Sequence, residues 1–403
     1  LWVYGARRRG RDAQRQRAIE AVFDDATSGT LASDGRLVFA VESSPRAIAM
    51  QNNGMPIRVA QNGESWQSGN RLSAYDIANG GKLRWRRPSS GSELAERKTP
   101  PEREDPPAGP LGVAAPMALW HCGTPLPLGD QISVLVEERG QIRLDVLEAA
   151  TGKPLWSQPL AEVDESRSID NPNSRGRRTA GLSPSMAEGV LVCPTAAGAV
   201  VGVDVATRTL LWAYHYPIST TEERIAQGIG IGGRRPQNVV VFNGQVVPPG
   251  AEHRWIDSVP TLSSGYSVLT PSESNELHCV SLRRGTLSWK LPRKENLYVA
   301  GIVENMVVLV GRRSVEAVSL AEGKSIWKEP ISWGDAGMPS GRGFITGSHL
   351  FVPLDTPEIV DIDLKTGTIV GRSPARGNHV PGNLIAYRGE ILSQGVDSLD
   401  AFY

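Results

Sequence analysis

The sequence carries no surplus of either charge: Lys plus Arg and Asp plus Glu number 43 each. A nucleic-acid binder usually shows a basic excess, so nucleic acid is not an expected partner. No apolar run reaches the ~18 residues of a membrane-spanning helix. Membrane contact is therefore expected only through an anchor or domain outside the chain. Cysteine is scarce. Cys122, Cys193 and Cys279 lie far apart, with no CxxC, no CxxCH and no adjacent pair. They read as three small buried hydrophobes, although one disulfide with a spare thiol stays open, so the thiols do not fix the compartment. GxSxG and HExxH are absent, and no EF-hand spacing occurs. The histidines, His121, His215, His253, His278, His349 and His379, never pair at metal-ligand spacing. The chain starts at Leu1 rather than Met, as a processed protein or a segment of a longer one does.

What the sequence has is a repeated phrase: an alternating apolar segment, often an acid or Ser, a turn, then Trp. It runs from Leu72 to Trp85, Ile142 to Trp156, Val200 to Trp212, Leu277 to Trp289 and Val315 to Trp327. A further copy, Ile359 to Gly371, has Gly in place of Trp. Gly81, Gly152, Gly285, Gly323 and Gly367 each stand four residues before the Trp position, where the third copy has Arg208. A residue with positive φ closes a tight hairpin, and Gly takes that conformation without steric cost. The alternation Val201, Val203, Val205 predicts a strand with one buried face. Trp then falls at a fixed place on the next strand. Burying about 150–250 Å² of indole at about 25 cal/mol per Å² contributes about 4–6 kcal/mol gross, an upper bound. That contribution explains why the residue recurs as a plug between neighbouring sheets.

A second hairpin precedes most phrases: Leu31–Val41, Ala187–Cys193, Ser264–Leu269, Val299–Val310, Gly343–Val352 and Ile385–Leu392. Two hairpins make a four-stranded antiparallel sheet. Trp-to-Trp spacings of 71, 56, 77 and 38 residues, and 44 from Trp327 to Gly371, equal one such sheet with or without an insertion. The fold expected is all-β: a seven-bladed β-propeller, eight being the alternative, forming one domain over residues 1–403. The blades predicted are 30–86, 115–157, 180–213, 257–291, 297–328, 340–373 and 380–403. The last is one strand short, and Leu1–Tyr4, with Trp2, reads as its closing strand. Trp2, Trp85, Trp156, Trp212, Trp289 and Trp327 are the predicted plugs.

Surplus residues gather at 45–70, 87–114, 158–180 and 214–256. One insertion lies between second and third strands and the others follow a fourth strand, so all leave from one rim of an up-and-down sheet. Insertions on one face of a repeat protein usually mark its binding surface. Candidate rim residues are Arg175, Arg177, Arg178, Arg234, Arg235 and His253. Residues 88–110 are rich in Pro, Glu and Ser, and Val239–Val247 predicts a hairpin turning at Asn243-Gly244. The glycine run 228–233 is followed by Pro236 and that hairpin rather than by a helix, so it reads as a loop and not a phosphate cradle. Arg7–Arg17 is basic and reads as a solvated, partly helical lead-in.

Asp363 to Gly367 and Thr151 to Trp156 resemble the pyrroloquinoline-quinone-like (PQQ-like) propeller repeat, and the likeness spans about residues 30–403. The resemblance implies one of two branches. Quinone-dependent dehydrogenases of the family carry eight blades, an adjacent Cys-Cys pair over the quinone, and acids that hold Ca²⁺. The non-catalytic branch comprises BamB-like outer-membrane assembly factors and sensor domains of envelope proteins. With about seven blades and no Cys-Cys, the sequence matches the second branch better. By that resemblance it is expected to be a monomeric protein-interaction scaffold of the periplasm or cell envelope, with an unidentified protein partner, no catalytic residue, and neither PQQ nor Ca²⁺. A quinoprotein dehydrogenase and a ligand-binding sensor domain are the alternatives.

Overall fold

The computed structural model describes residues 26–43, 48–50, 56–58, 70–87, 119–164, 168–169, 175–218, 240–242, 245–247, 255–334, 337–375, 377, 379–395 and 398–402. The chain is an all-β propeller of seven blades, each an antiparallel meander. Among the described residues the only α-helix is the single turn Arg175–Thr179. Contacts gather the blades into two compact units. One spans residues 30–183 and holds blades 1 and 2; the other holds the five blades from Pro184 onward.

In the first unit, blade 1 pairs Leu31–Ser33, Leu37–Ser43, Asn70–Asp76 and Lys82–Arg87 in order. Blade 2 pairs Gln131–Glu138, Gln141–Glu148 and Pro154–Glu162. Its first strand comes in two pieces, Trp120–His121 and Leu126–Leu128, both bound to the strand beginning at Gln131. The fourth strand reaches Glu162, so residues 158–162, expected in an insertion, belong to the sheet.

In the second unit, blade 3 comprises Ser185–Ala187, Val190–Pro194, Ala199–Asp204 and Thr209–His215. Blade 4 comprises Thr261–Ser263, Tyr266–Leu269, Glu276–Ser281 and Leu287–Pro292. Blade 5 has Asn296–Val303, Met306–Gly311, Ser314–Ser319 and a two-residue remnant, Ile331–Ser332. Blade 6 is Phe344–Thr346, His349–Leu354, Glu358–Asp363 and Thr368–Pro374. Among the described residues blade 7 has three strands, Asn383–Tyr387, Glu390–Gln394 and Leu399–Phe402. The closing strand expected from Leu1–Tyr4, and Trp2 with it, lies outside the described residues.

The apolar cores lie between sheets. Phe39, Val41, Leu72 and Ala74 of blade 1 meet Ile132, Val134 and Val136 of blade 2. Val190, Val192 and Val200 of blade 3 meet Leu269, Val280 and Leu282 of blade 4. Strand alternation produces these faces, since every second residue points to the same side.

The repeated turn explains its own residues. The amide of Gly285 donates to Ser281 O at 2.8 Å with φ +64°, and Arg208 makes the same bond to Asp204 O at 2.8 Å with φ 59°. The acid of the phrase accepts turn amides: Asp204 Oδ1 takes Thr207 N at 2.7 Å, and Asp363 Oδ1 takes Lys365 N at 2.8 Å. Those backbone donors hold both carboxyls below their ordinary pKa. A β-bulge follows. Tyr75 opposes Leu83 while Ala74 opposes Trp85, leaving Arg84 extra. The same one-residue shift precedes Trp156, Trp212, Trp289 and Gly371. It resets the alternation, so the Trp turns toward the next blade.

Trp85 donates from Nε1 to Ala149 O, Trp212 to Leu282 O and Trp289 to Leu320 O, at 2.7–2.8 Å. Each indole lies over the turn glycine of the following blade, Gly152, Gly285 or Gly323, where a Cβ would fall inside contact distance of the ring. These three indoles fill the joints between blades. Trp156 is half-buried on its fourth strand, opposite Val146. Trp327 departs from the expectation that it sits on a strand. Residues 327–330 bulge out of blade 5 between Ile326, bonded to Ala317, and Ile331, paired with Val315.

Candidate binding rim

Register places the insertions on one edge within the first unit. Ser43 pairs with Asn70, so the insertion 45–70 leaves blade 1 there. Glu138, Gln141 and Glu162 align at the corresponding edge of blade 2, where the segment beyond Glu162 departs. Asn70 ties the two together. Its Nδ2 donates to His121 O and its Oδ1 accepts His121 N, both at 2.7 Å. The His121 ring is buried, and desolvation followed by the Arg87 and Arg143 charges pushes its pKa down to about 3.

Segment 163–183 is strapped to this edge. Val163 N donates to Gly140 O, and Leu182 N to Cys122 O, each at 2.9 Å. Between them stands Glu137, 0% exposed, whose carboxylate accepts Ile169 N at 2.7 Å and Arg177 Nη2 at 2.6 Å. A buried carboxylate needs such compensation, and breaking a pair of this kind costs several kcal/mol. Burial, with Glu137 second, pushes the Cys122 thiol up. Arg178 donates from Nε to Ile169 O at 2.6 Å and lies 5.8 Å from the Trp120 ring centroid. Of the predicted rim residues, Arg177 and Arg178 therefore hold the strap. Arg175 begins the helical turn, and Arg234, Arg235 and His253 lie outside the described residues.

The second unit fixes both roots of the insertion 214–256. At its start, Tyr216 N bonds Gly198 O at 3.0 Å and Tyr216 Oη donates to Glu273 at 2.5 Å. The Tyr214 and Tyr216 ring centroids lie 5.7 and 5.4 Å from that of His278, which is fully buried. At its end, Trp255 stacks on Tyr298 at 5.0 Å and 5°. Arg342 lies 4.9 Å from the Tyr298 ring centroid and pairs with Asp257 at 2.8 Å. Asp257 also accepts Val299 N at 2.9 Å, and buried Arg293 reaches Trp255 O. Burial pushes the Tyr298 hydroxyl up to about 12. Sequence reasoning missed Glu137, Glu273, His278, Trp255, Asp257, Tyr298 and Arg342. The available signal was aromatic and charged residues at the blade ends, where alternation should give way to loops. Within the insertion, Val240–Phe242 pairs with Gln245–Val247 as predicted.

Among the described residues these groups anchor the roots of the insertions. Ser274 and His278 approach at 3.2 Å, yet both are buried. The thiols do not fit the quinone arrangement of the dehydrogenase branch. Cys122 follows the first piece of blade 2, while Cys193 and Cys279 are buried on strands of blades 3 and 4.

Residues 68–247 match the family described as outer membrane protein assembly factor BamB. The structure of BamB from Moraxella catarrhalis superposes with a TM-score of 0.51 at 14% identity, over 92% of this chain and 91% of that one. The computationally designed Ika8 protein gives 0.41 at 12% identity, over 94% and 96%. A europium-containing methanol dehydrogenase gives 0.45 at 11%, over 92% and 76%. No curated protein matches in sequence.

Proposed function

We propose that this BamB-like propeller is a non-catalytic scaffold of the bacterial cell envelope that presents its long insertions to a protein partner. The observation that carries the reading is the clamping of the insertion roots. Tyr216 at one end and Trp255 at the other are buried in the blades, and Glu137 holds the 163–183 strap. Fixed roots lower the entropy a loop loses on binding, which favours a loop used for recognition. The match to an envelope assembly family supports the setting.

The test is to replace residues 219–254 with a short Gly-Ser link, leaving both anchors in place. The shortened protein should melt as the parent does and lose the partner that the parent captures by cross-linking in envelope fractions. A folded variant that keeps every partner would overturn the reading. Quinone chemistry is read separately: saturable quenching of Trp fluorescence by PQQ with Ca²⁺, together with dye reduction, would replace the scaffold with an oxidoreductase.

A further inference from the structure

We infer that the start of the long insertion is an acid-sensitive hinge, with His278 as its proton-binding element. His278 lies on the third strand of blade 4, on the same face as Val280 and Leu282, which pack against blade 3. Its Nδ1 is 3.0 Å from Tyr214 Oη and its Nε2 3.2 Å from Ser274 Oγ. The Tyr214 and Tyr216 rings pack against it, and the insertion departs directly after them. The imidazole thus fills the seat on which the loop's root rests.

Among the described residues, a charged imidazolium in this seat finds no carboxylate to pair with. Glu273, on the loop before the strand, is occupied by Tyr216 Oη and Gly198 N. Glu276, on the same strand, is paired with Lys290 of the neighbouring strand at 3.0 Å. Lys290 itself opposes a second positive charge. Ser274 and Tyr214 offer only hydroxyl dipoles. Burial accordingly lowers the His278 pKa from its ordinary 6.5, with Lys290 acting in the same direction and Glu276 against it. The sign follows from linkage. The seated form favours neutral imidazole and the open form takes up a proton with the free value. The anchor is at full strength above pH 6.5 and weakens as pH falls below it, up to about tenfold per unit until the seated imidazole itself titrates. Tyr214 and Tyr216 would then leave blade 4 together, because they share the one imidazole.

The experiment is hydrogen exchange on the intact protein at pH 7.5 and 5.5, corrected for the intrinsic pH dependence of exchange, with His278→Gln as comparison. Opening at residues 213–218 and 274–279 should rise up to about tenfold at pH 5.5 in the parent and stay level in the variant. Equal protection at both pH values in the parent, or the same pH dependence in His278→Gln, overturns the hinge. A titration of the His278 ring by NMR on the parent stands if the variant fails to fold: a midpoint below 6.5 supports the hinge, and one at or above 6.5 overturns it. Neither readout needs a partner, so the hinge holds or fails separately from the scaffold reading.

Discussion

At the joint between blades 3 and 4, Trp212 is 8% exposed, donates to Leu282 O, and lays Cδ2 and Cε3 over Gly285. At the joint between blades 5 and 6, Trp327 is half-buried and presents the other edge of the ring, Cδ1 and Nε1, to Gly367. Its Nε1 is buried without a hydrogen-bond partner among the described residues. The cause is local: residues 327–330, between Ile326 and Ile331, leave the sheet and turn the indole over. The same four-residue spacing from Gly to Trp therefore yields two joints of different strength. A plug needs the strand behind it as well as the glycine beneath it.

The largest effect that can break this comparison is removal of the ring. Trp212→Ala and Trp289→Ala should each cost about 3–5 kcal/mol, by cavity formation and loss of the indole hydrogen bond. Trp327→Ala should cost at least about 1 kcal/mol less than either, because no hydrogen bond is lost and part of the ring already meets water. Denaturant midpoints at constant slope measure all three. Equal losses would mean that orientation and the hydrogen bond contribute nothing to the plug.

The glycines give a smaller effect. Gly285 has φ +64°, and a Cβ there would lie 2.4 Å from Trp212 Cδ2; Gly265 has φ +77° and nothing within 4 Å. Both alanine variants pay for the left-handed backbone, but only Gly285→Ala must displace a packed ring. Gly285→Ala should be destabilised beyond Gly265→Ala by about 1–3 kcal/mol. A difference near zero would show that the joint yields at no cost.

The fold was legible in the sequence because its signals are local. Alternation, turn glycines and Trp fall within about fifteen residues of one another, and the hairpins predicted from them pair in blades 1, 2, 3, 4 and 6, while the phrase of blade 5 leaves its sheet beyond Ile326. The bulge before each Trp was not legible, since a register shift is a relation between two strands and leaves no mark on either. For the same reason the ejected strand at 327–330 looked like its siblings. The rim was legible only as an inventory of insertions. What anchors it depends on partners far apart in sequence: Glu137 with Arg177, Tyr216 with Glu273, Trp255 with Tyr298. Naming Arg177 and Arg178 as rim candidates followed from composition, which does not record that Arg177 pairs with a buried carboxylate and Arg178 with a backbone carbonyl.

The smallest effect concerns the one repeat that breaks the glycine rule. Arg208 occupies the turn position with φ 59° and makes the hydrogen bond that Gly285 and Gly367 make in their own blades. A left-handed conformation costs an L-residue about 1–2 kcal/mol. Glycine avoids that strain but adds about 0.4–1 kcal/mol of unfolded-chain entropy. On the backbone balance alone the strain is the larger quantity, so Arg208→Gly should stabilise the protein by about 0.5–1 kcal/mol, less whatever the arginine side chain contributes, read as a higher denaturant midpoint at unchanged slope. A lower midpoint would reverse the inference: the Arg208 side chain would then contribute more to its turn than its backbone loses, and the third repeat would keep arginine for a contact rather than tolerate it as a flaw.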